Sequence, residues 1–118
     1  MKKILFIDDD KILGEVVQTM LEDEGYRTIL REDSSDIHEV INEDLPHCII
    51  LDYFLPNENG GDIAKYLKND KKTQKIPIIM VSSHYGIEPM LKKIGVDAFI
   101  PKPFDIDQLV TTLDQLTV

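Results

Sequence analysis

Residues 48–60 constrain the fold of this chain most, because a run of apolar β-forming residues ends there on the carboxylate of Asp52. The run does not alternate between apolar and polar residues, which is typical of a parallel strand covered on both faces. Proline, asparagine and glycine residues then supply the turn that ends it. Asp52 is therefore predicted at the carboxyl end of a central strand, where open α/β sheets hold ligands. An aspartate that merely caps the following turn is the alternative that this stretch leaves open.

Length and composition predict an ordinary globular chain with one domain, residues 1–118. The residues are 42% hydrophobic without a long apolar run, and Met1-Lys2-Lys3 leads straight into a short strand. These features predict neither a transmembrane span nor a signal peptide, and so a cytoplasmic location. The formal net charge of −9 argues against binding of nucleic acid by this domain and against binding to anionic membranes.

Apolar runs alternate with helical patterns along the whole chain, which predicts five strands and five helices. The predicted strands are 4–7, 26–30, 48–52, 76–81 and 98–100. The helical patterns run from Lys11 to a stop at Gly25, from the caps Ser34 and Ser35 to Pro46, and over 60–67, 88–94 and 106–116. Right-handed crossovers between such units place a parallel sheet between two helical layers. Pro101 lacks an N–H for a sheet ladder, which favours an edge position for the last strand.

Reactive side chains follow four of the predicted strands, at the same end of each. They are Asp8, Asp9 and Asp10 after the first strand, Asp52 after the third, Ser82 after the fourth and Lys102 after the fifth. Because the carboxyl ends of parallel strands are neighbours, these groups are expected in one crevice. Several carboxylates in one crevice either raise one another's pKa values or recruit a hard cation, and Mg²⁺ held by two carboxylates, a carbonyl and waters suits this set.

A magnesium ion beside a lysine and a hydroxyl is typical of phosphate chemistry. The metal neutralises charge on a phosphoryl group, while the lysine and the hydroxyl hold its remaining oxygens. Asp52 would then be the nucleophile that forms an aspartyl phosphate.

In this order, the residues resemble those of a two-component response-regulator receiver domain over the whole chain. The match rests on Asp8-Asp9, on Asp52 followed by Leu55-Pro56 and Asn59-Gly60, on Val81-Ser82-Ser83, and on Lys102-Pro103-Phe104. The resemblance implies a flavodoxin-like (βα)5 fold with a parallel sheet in the order 2-1-3-4-5. It also implies that Asp52 accepts a phosphoryl group from a sensor histidine kinase or a histidine phosphotransfer protein. Such a domain is not a conventional turnover enzyme, because it catalyses only its own phosphorylation and slow dephosphorylation.

The resemblance implies further roles for individual residues. Asp9, Asp52 and the backbone carbonyl of Phe54 would bind Mg²⁺ directly, and Asp8 would assist through water. Lys102 would hold the phosphoryl group, Ser82 would hydrogen-bond to it, and the peptide bond before Pro103 would be cis.

The resemblance also implies how the signal is read and how long it lasts. Ser82 and the aromatic residue Phe99 would switch the face made by the fourth helix, the fifth strand and the fifth helix. A downstream protein target or a linked output domain would read that face. Phe54 and His84, two positions after Asp52 and Ser82, would govern how water reaches the phosphate and are expected to give a long-lived phosphoryl group.

The segment between the fourth and fifth strands is shorter than usual in receivers. Pro89 is tolerated only in the first turn of a helix, which predicts that the fourth helix begins near Glu88 and ends at Ile94. Residues 83–87 are then predicted to form a loop that becomes ordered on phosphorylation.

Several of these residues also have purely structural explanations. Asp10 stands immediately before a helical pattern and is predicted to be its N-cap. Ser82 is equally suited to cap the next segment, and Phe99 is equally suited to the core. Cys48 lies in the apolar run, which predicts a buried, inert thiol rather than a redox or metal-binding group.

Two other functions fit part of the pattern. Asp8-x-Asp10 after a first strand resembles the start of haloacid-dehalogenase-type phosphatases, but these need a longer chain, and the reading leaves Asp52 and Lys102 unexplained. A pseudo-receiver, which binds partners without phosphate, usually lacks the acid pair, the phosphoacceptor or the lysine. All of these are present here, which favours the phosphate-dependent receiver.

Overall fold

Five parallel strands form the central sheet in the computed structural model of the chain, which describes residues 1–118. The strands are β1 (Lys3–Ile7), β2 (Arg27–Arg31), β3 (Cys48–Asp52), β4 (Ile78–Ser82) and β5 (Ala98–Pro101). They pair in the order β2-β1-β3-β4-β5, with β5 at an edge as Pro101 predicted. The flavodoxin-like (βα)5 fold is therefore confirmed.

Five helices connect the strands. They are α1 (Lys11–Asp23), α2 (Ile37–Asp44), α3 (Gly60–Lys68), α4 (Glu88–Ile94) and α5 (Ile106–Leu116). The predicted N-cap of α1 is confirmed, because the Asp10 carboxylate accepts a hydrogen bond of 3.0 Å from the N–H of Leu13. The helix α4 has the short extent that Pro89 predicted. None of the helices is long and apolar enough to cross a membrane.

The prediction that Ser34 and Ser35 cap α2 is wrong. The N-cap residue is Asp36, and its side chain makes no capping hydrogen bond. The Ser34 hydroxyl is instead hydrogen-bonded to the carboxylate of Glu58, which lies in a short antiparallel pair of strands after β3, Phe54–Leu55 and Glu58–Asn59. A serine that pairs with a carboxylate from another loop is no longer available to the helix end.

The strands β2 and β4 begin one and two residues later than predicted, at Arg27 and Ile78. Tyr26 belongs to the turn after α1, because its N–H donates to the carbonyl of Leu21 at 3.0 Å. The N–H of Ile76 likewise donates to the carbonyl of Thr73 at 3.0 Å. Local turns therefore take the first residues of both apolar runs.

Apolar residues cover both faces of the sheet, as the unbroken apolar run predicted. Every residue of β3 and β4 is buried. Alternate strand residues divide between two clusters, one packed against α2, α3 and α4 and the other against α1 and α5. Cys48 is 0% exposed, which confirms the predicted buried thiol.

Backbone hydrogen bonds continue the ladder just beyond the strand ends. The N–H of Asp8 donates to Arg31 at 3.0 Å, that of Tyr53 to Val81 at 3.0 Å, and that of Lys102 to Ser82 at 2.9 Å. Together with the pairing of Ile7 with Leu51 between β1 and β3, these bonds hold the ends of all five strands side by side at the carboxyl edge of the sheet. The residues that the sequence places after each strand therefore meet at this edge.

Candidate functional site

Three carboxylates converge at the carboxyl edge. Asp8, Asp9 and Asp52 each offer an oxygen, and these three oxygens all lie within 4.8 Å of one another. Asp8 and Asp52 are 4% and 6% exposed, whereas Asp9 is open to solvent. Three carboxylate oxygens, one of them accessible, are hard donors of the kind that Mg²⁺ prefers. The donor set therefore fits a magnesium ion, and Asp10 lies outside it because its side chain caps α1.

Lys102 links two of these carboxylates. Its Nζ lies 2.7 Å from Asp8 Oδ2 and 3.4 Å from Asp52 Oδ2. Burial disfavours the charged lysine, but the hydrogen bonds and charges of Asp8 and Asp52 outweigh burial and raise its pKa. The ammonium group is therefore fixed at the acceptor carboxylate, and the prediction that Lys102 belongs to the site is supported by direct contact.

Asp52 carries an unfavourable charge in this setting. Its pKa is raised above the ordinary value, first by burial and then by the charge of Asp8, while Lys102 partly opposes the shift. In the metal-free protein, Lys102 therefore only partly offsets the free-energy cost of a negative charge on Asp52. A cation bound beside it would relieve that cost.

Asp8 is held by two donors. The N–H of Asp10 donates to its Oδ1 at 2.9 Å, and Lys102 occupies its Oδ2. The direct contact with Lys102 was not predicted, since the resemblance implied only a contact with metal-bound water. No local pattern could have indicated it, because 94 residues separate the two partners.

The backbone after β3 approaches Gly60 very closely. A Cβ atom at this position would lie 2.4 Å from the Asp52 carbonyl oxygen and 2.8 Å from Tyr53 Cα. The N–H of Gly60 also donates to the Tyr53 carbonyl at 2.7 Å. The sequence indicated Gly60 only as a turn residue. The structure shows that its missing side chain lets α3 begin against the backbone of the acceptor residue.

The Ser82 side chain has the structural role that the sequence left open. Ser82 is 1% exposed, and its hydroxyl oxygen accepts a hydrogen bond of 3.0 Å from the N–H of His84. A hydroxyl that accepts one bond can still donate its own proton. Capping of the 83–87 loop and donation to a phosphoryl oxygen are therefore compatible roles.

Phe54 and His84 are in contact beside the site. Their ring centroids lie 4.6 Å apart at an interplanar angle of 59°. Phe54 is 49% exposed and also packs edge-on against Tyr53, with centroids 4.8 Å apart. The sequence singled out both positions but gave no sign that the side chains meet.

Phe99 is half-buried and packs against the core cluster on the α4 side of the sheet. It also lines a cavity of about 210 Å³ with Leu91 and Lys92 of α4. A core position next to a cavity leaves room for the Phe99 ring to change rotamer, which is compatible with the predicted switch role. That role stays a prediction.

The loop predicted at residues 83–87 is confirmed, because α4 begins only at Glu88. Its residues 83–86 are exposed, whereas Ile87 packs partly against the core.

Comparison with known proteins gives consistent matches. The sequence model of the response regulator receiver domain matches residues 4–114. The phosphate regulon transcriptional regulatory protein PhoB of Pseudomonas aeruginosa is 35% identical over 114 residues, which are 95% of this chain and 50% of that protein. The chain thus spans about half the length of the PhoB proteins it matches.

A second relative is matched over nearly its full length. The polar-differentiation response regulator DivK of Brucella ovis is 26% identical over 95% of this chain and 93% of that protein. Among solved structures, the chemotaxis protein CheY4 of Vibrio cholerae superimposes with a TM-score of 0.88 over 98% of both chains, at 24% identity. The last similarity concerns the fold.

Proposed function

The chain belongs to the response regulator receiver domain family of two-component signalling, and from this premise we propose that Asp52 is its phosphoacceptor. The observation that carries the proposal is the pair of contacts from Lys102 Nζ, at 2.7 Å to Asp8 and 3.4 Å to Asp52. A cation fixed beside a buried carboxylate is suited to bind a phosphoryl group that forms there.

Receiver domains generally bind Mg²⁺ at an acidic pocket, and Asp8, Asp9 and Asp52 form such a cluster here. In this chain Asp9, Asp52 and the Phe54 carbonyl would hold the ion, and Asp8 would act through water. The bound ion would neutralise charge on the phosphoryl oxygens.

The reaction transfers one phosphoryl group. A carboxylate oxygen of Asp52 attacks the phosphorus of a phosphohistidine, a P–O bond forms, and the P–N bond to the histidine breaks. Lys102 stabilises charge on the transferred group, and the Ser82 hydroxyl donates to one of its oxygens. Asp52 stays modified until water hydrolyses the acyl phosphate, so the chain does not turn over like a conventional enzyme.

The donor is a sensor histidine kinase or a histidine phosphotransfer protein in the cytoplasm. An exposed apolar row on α1 supports contact with a donor protein. Ile12, Val16 and Met20 are 77%, 51% and 42% exposed and recur every four residues, which places them on one side of the helix. The row begins in the first turn after the acidic cluster.

The receiver of this chain acts on either a linked output domain or a separate target. The PhoB relatives are about twice as long as the matched region, which supports a linked domain, whereas DivK is matched almost completely. The net charge of −9 argues that any nucleic-acid contact is made outside this chain.

Intact-mass analysis with acetyl phosphate tests the assignment. With Mg²⁺ we expect one phosphoryl group per chain in the native sequence and none in Asp52→Ala. The exposed carboxylate of Asp23 supplies the matched control, and Asp23→Ala is expected to label normally. Equal labelling of Asp52→Ala, or full labelling in EDTA, would contradict the proposal.

A further inference from the structure

A groove of about 520 Å³ lies between α3 and α4, apart from the acidic cluster. Its volume lies within the roughly 300–1,000 Å³ that small-molecule sites occupy. Tyr53 and Met90 line the part that is closer to the carboxyl edge, and Lys65 and Lys93 line the part farther along the two helices. The groove therefore has an apolar part and a cationic part.

Tyr53 provides an unused polar group in this groove. The residue is 9% exposed, its hydroxyl makes no hydrogen bond within the chain, and the hydroxyl oxygen keeps contact with solvent. The Tyr53 hydroxyl is thus available to a molecule in the groove.

Two lysines face the groove from opposite walls. Lys65 belongs to α3 and Lys93 to α4, and neither takes part in an ion pair. Each of these lysines lies in the last turn of its helix, where the helix dipole stabilises a positive charge. The dipole does not explain why both line one cavity, where Asp62 is the one acidic residue. In a chain with a net charge of −9, two unpaired lysines at a cavity with a single carboxylate make that cavity suited to an anionic ligand.

Gly61 lies beside the Tyr53 ring in the groove and has no side chain that could cover it. A Cβ atom at this position would lie 2.9 Å from Asn59 Oδ1 and 3.1 Å from Tyr53 Cε1. Any side chain there would crowd the tyrosine ring. The absence of one leaves that ring accessible from the groove.

We propose that the groove binds a small organic phosphate. The aromatic ring of the ligand packs against Tyr53 and Met90 and presents a polar ring atom to the Tyr53 hydroxyl, and its phosphate lies between Lys65 and Lys93. This orientation places the negative charge at the end of the groove that is farther from the acidic cluster, where repulsion is weakest. Binding at the groove does not require phosphorylation of Asp52, so the proposal stands independently of the phosphoacceptor assignment.

Amide chemical shifts of the full chain, titrated with adenosine 5′-monophosphate in EDTA, test the proposal. We expect saturable shifts at Tyr53, Lys65 and Lys93, with a dissociation constant of about 1 mM or lower. Lys65→Gln and Lys93→Gln should each weaken binding about tenfold, which corresponds to the loss of one charge-assisted contact. Tyr53→Phe should weaken it about threefold or more while leaving the fold intact.

Matched controls separate this site from general attraction to lysine. Lys71→Gln removes the same charge from an exposed position outside the groove and should bind as the native chain does. Adenosine, which lacks the phosphate, should bind at least tenfold more weakly. Absence of saturation, equal weakening in Lys71→Gln, or tighter binding of hexaglutamate than of the nucleotide would overturn the proposal, the last result in favour of an acidic peptide.

Discussion

The rings of Phe54 and His84 pack against each other with their centroids 4.6 Å apart. These residues stand two positions after Asp52 and two positions after Ser82, on different loops of the carboxyl edge. The contact joins the segment after β3 to the loop after β4, and both segments follow strands that end at the carboxyl edge. The Phe54 ring can limit the access of water, whereas the imidazole of His84 is the one polar group of the pair that could orient a water molecule.

The first prediction concerns the lifetime of phospho-Asp52. We expect a long lifetime in the native chain and a shorter one in Phe54→Ala, because loss of the ring opens the site to water. Tyr85→Ala is the matched control, since Tyr85 is 67% exposed and has no aromatic partner. Loss of phosphate is followed by intact mass after removal of the donor. A native half-life of seconds that lengthens in His84→Ala would instead show that the histidine positions water.

The second prediction is that Mg²⁺ stabilises the fold. A ligand that binds only the native state at ten times its dissociation constant adds about 1.4 kcal/mol to the free energy of unfolding. The rise should be visible as a higher melting temperature in millimolar Mg²⁺ and should disappear in Asp52→Asn. A melting temperature indifferent to the metal would count against the acidic site.

The pH dependence of the metal-free protein is the third prediction. The pKa of Asp52 is raised from its ordinary value of 3.8, so the folded state binds this proton more tightly than the unfolded state. Its contribution to stability is present below the unfolded pKa and is lost as pH rises through the folded pKa. Asp52→Asn should therefore raise the free energy of unfolding at pH 7 in EDTA. Asp9→Asn should also raise the free energy of unfolding, to a smaller extent, because it removes one of three clustered negative charges at an exposed position.

The control for this pH effect is Asp23→Asn, which removes an exposed carboxylate outside the cluster. It should leave the unfolding free energy within about 0.5 kcal/mol of the native value. A difference between Asp52→Asn and the native chain that does not shrink as pH falls below the unfolded pKa would contradict the assigned cause.

The fourth prediction compares two glycines. Gly60→Ala should destabilise the chain by about 1–3 kcal/mol and slow phosphorylation, because its Cβ would lie 2.4 Å from the Asp52 carbonyl oxygen. Gly86→Ala adds the same atom where nothing lies within 4 Å and should have little effect on either property. Chemical denaturation and acetyl phosphate labelling measure both. Similar stabilities for the two variants would show that the backbone at Asp52 moves easily.

The fifth prediction concerns the loop at residues 83–87. The Ser82 hydroxyl already accepts the His84 N–H at 3.0 Å, so a phosphoryl group that binds this hydroxyl should also hold the loop. We expect slower amide hydrogen exchange at residues 83–87 when beryllofluoride, which stands in for the phosphoryl group on Asp52, is added. Ser82→Ala should remove the effect. Protection already present in the free protein, or a change mainly in α1, would show that the partner-reading surface lies elsewhere.

The sequence by itself determined the five strands of the main sheet, the five helices and the edge at which chemistry occurs, but not the short antiparallel pair Phe54–Leu55 and Glu58–Asn59. Unbroken apolar runs are expected only where both faces of a strand are covered, and β3 and β4 are fully buried. Pro89 fixed where α4 begins, because proline is tolerated only in the first turn of a helix, and Asp10 caps α1. Both effects depend only on residues within one helical turn. Parallel strands then bring Asp8, Asp52 and Ser82 to one edge without further information.

Only the tertiary structure decided which side chains touch. The contact of Lys102 with Asp8 depends on the register of β5 and on the length of the lysine, and no local pattern encodes it. Ser34 pairs with Glu58 rather than capping α2, because a loop from another strand brings a carboxylate within reach. The closeness of Gly60 to the Asp52 carbonyl and the contact of Phe54 with His84 arise in the same way. Local sequence determines burial patterns and turns over a few residues. Which side chains contact each other depends on the distances between residues far apart in the chain, and these distances are defined only once the sheet has assembled.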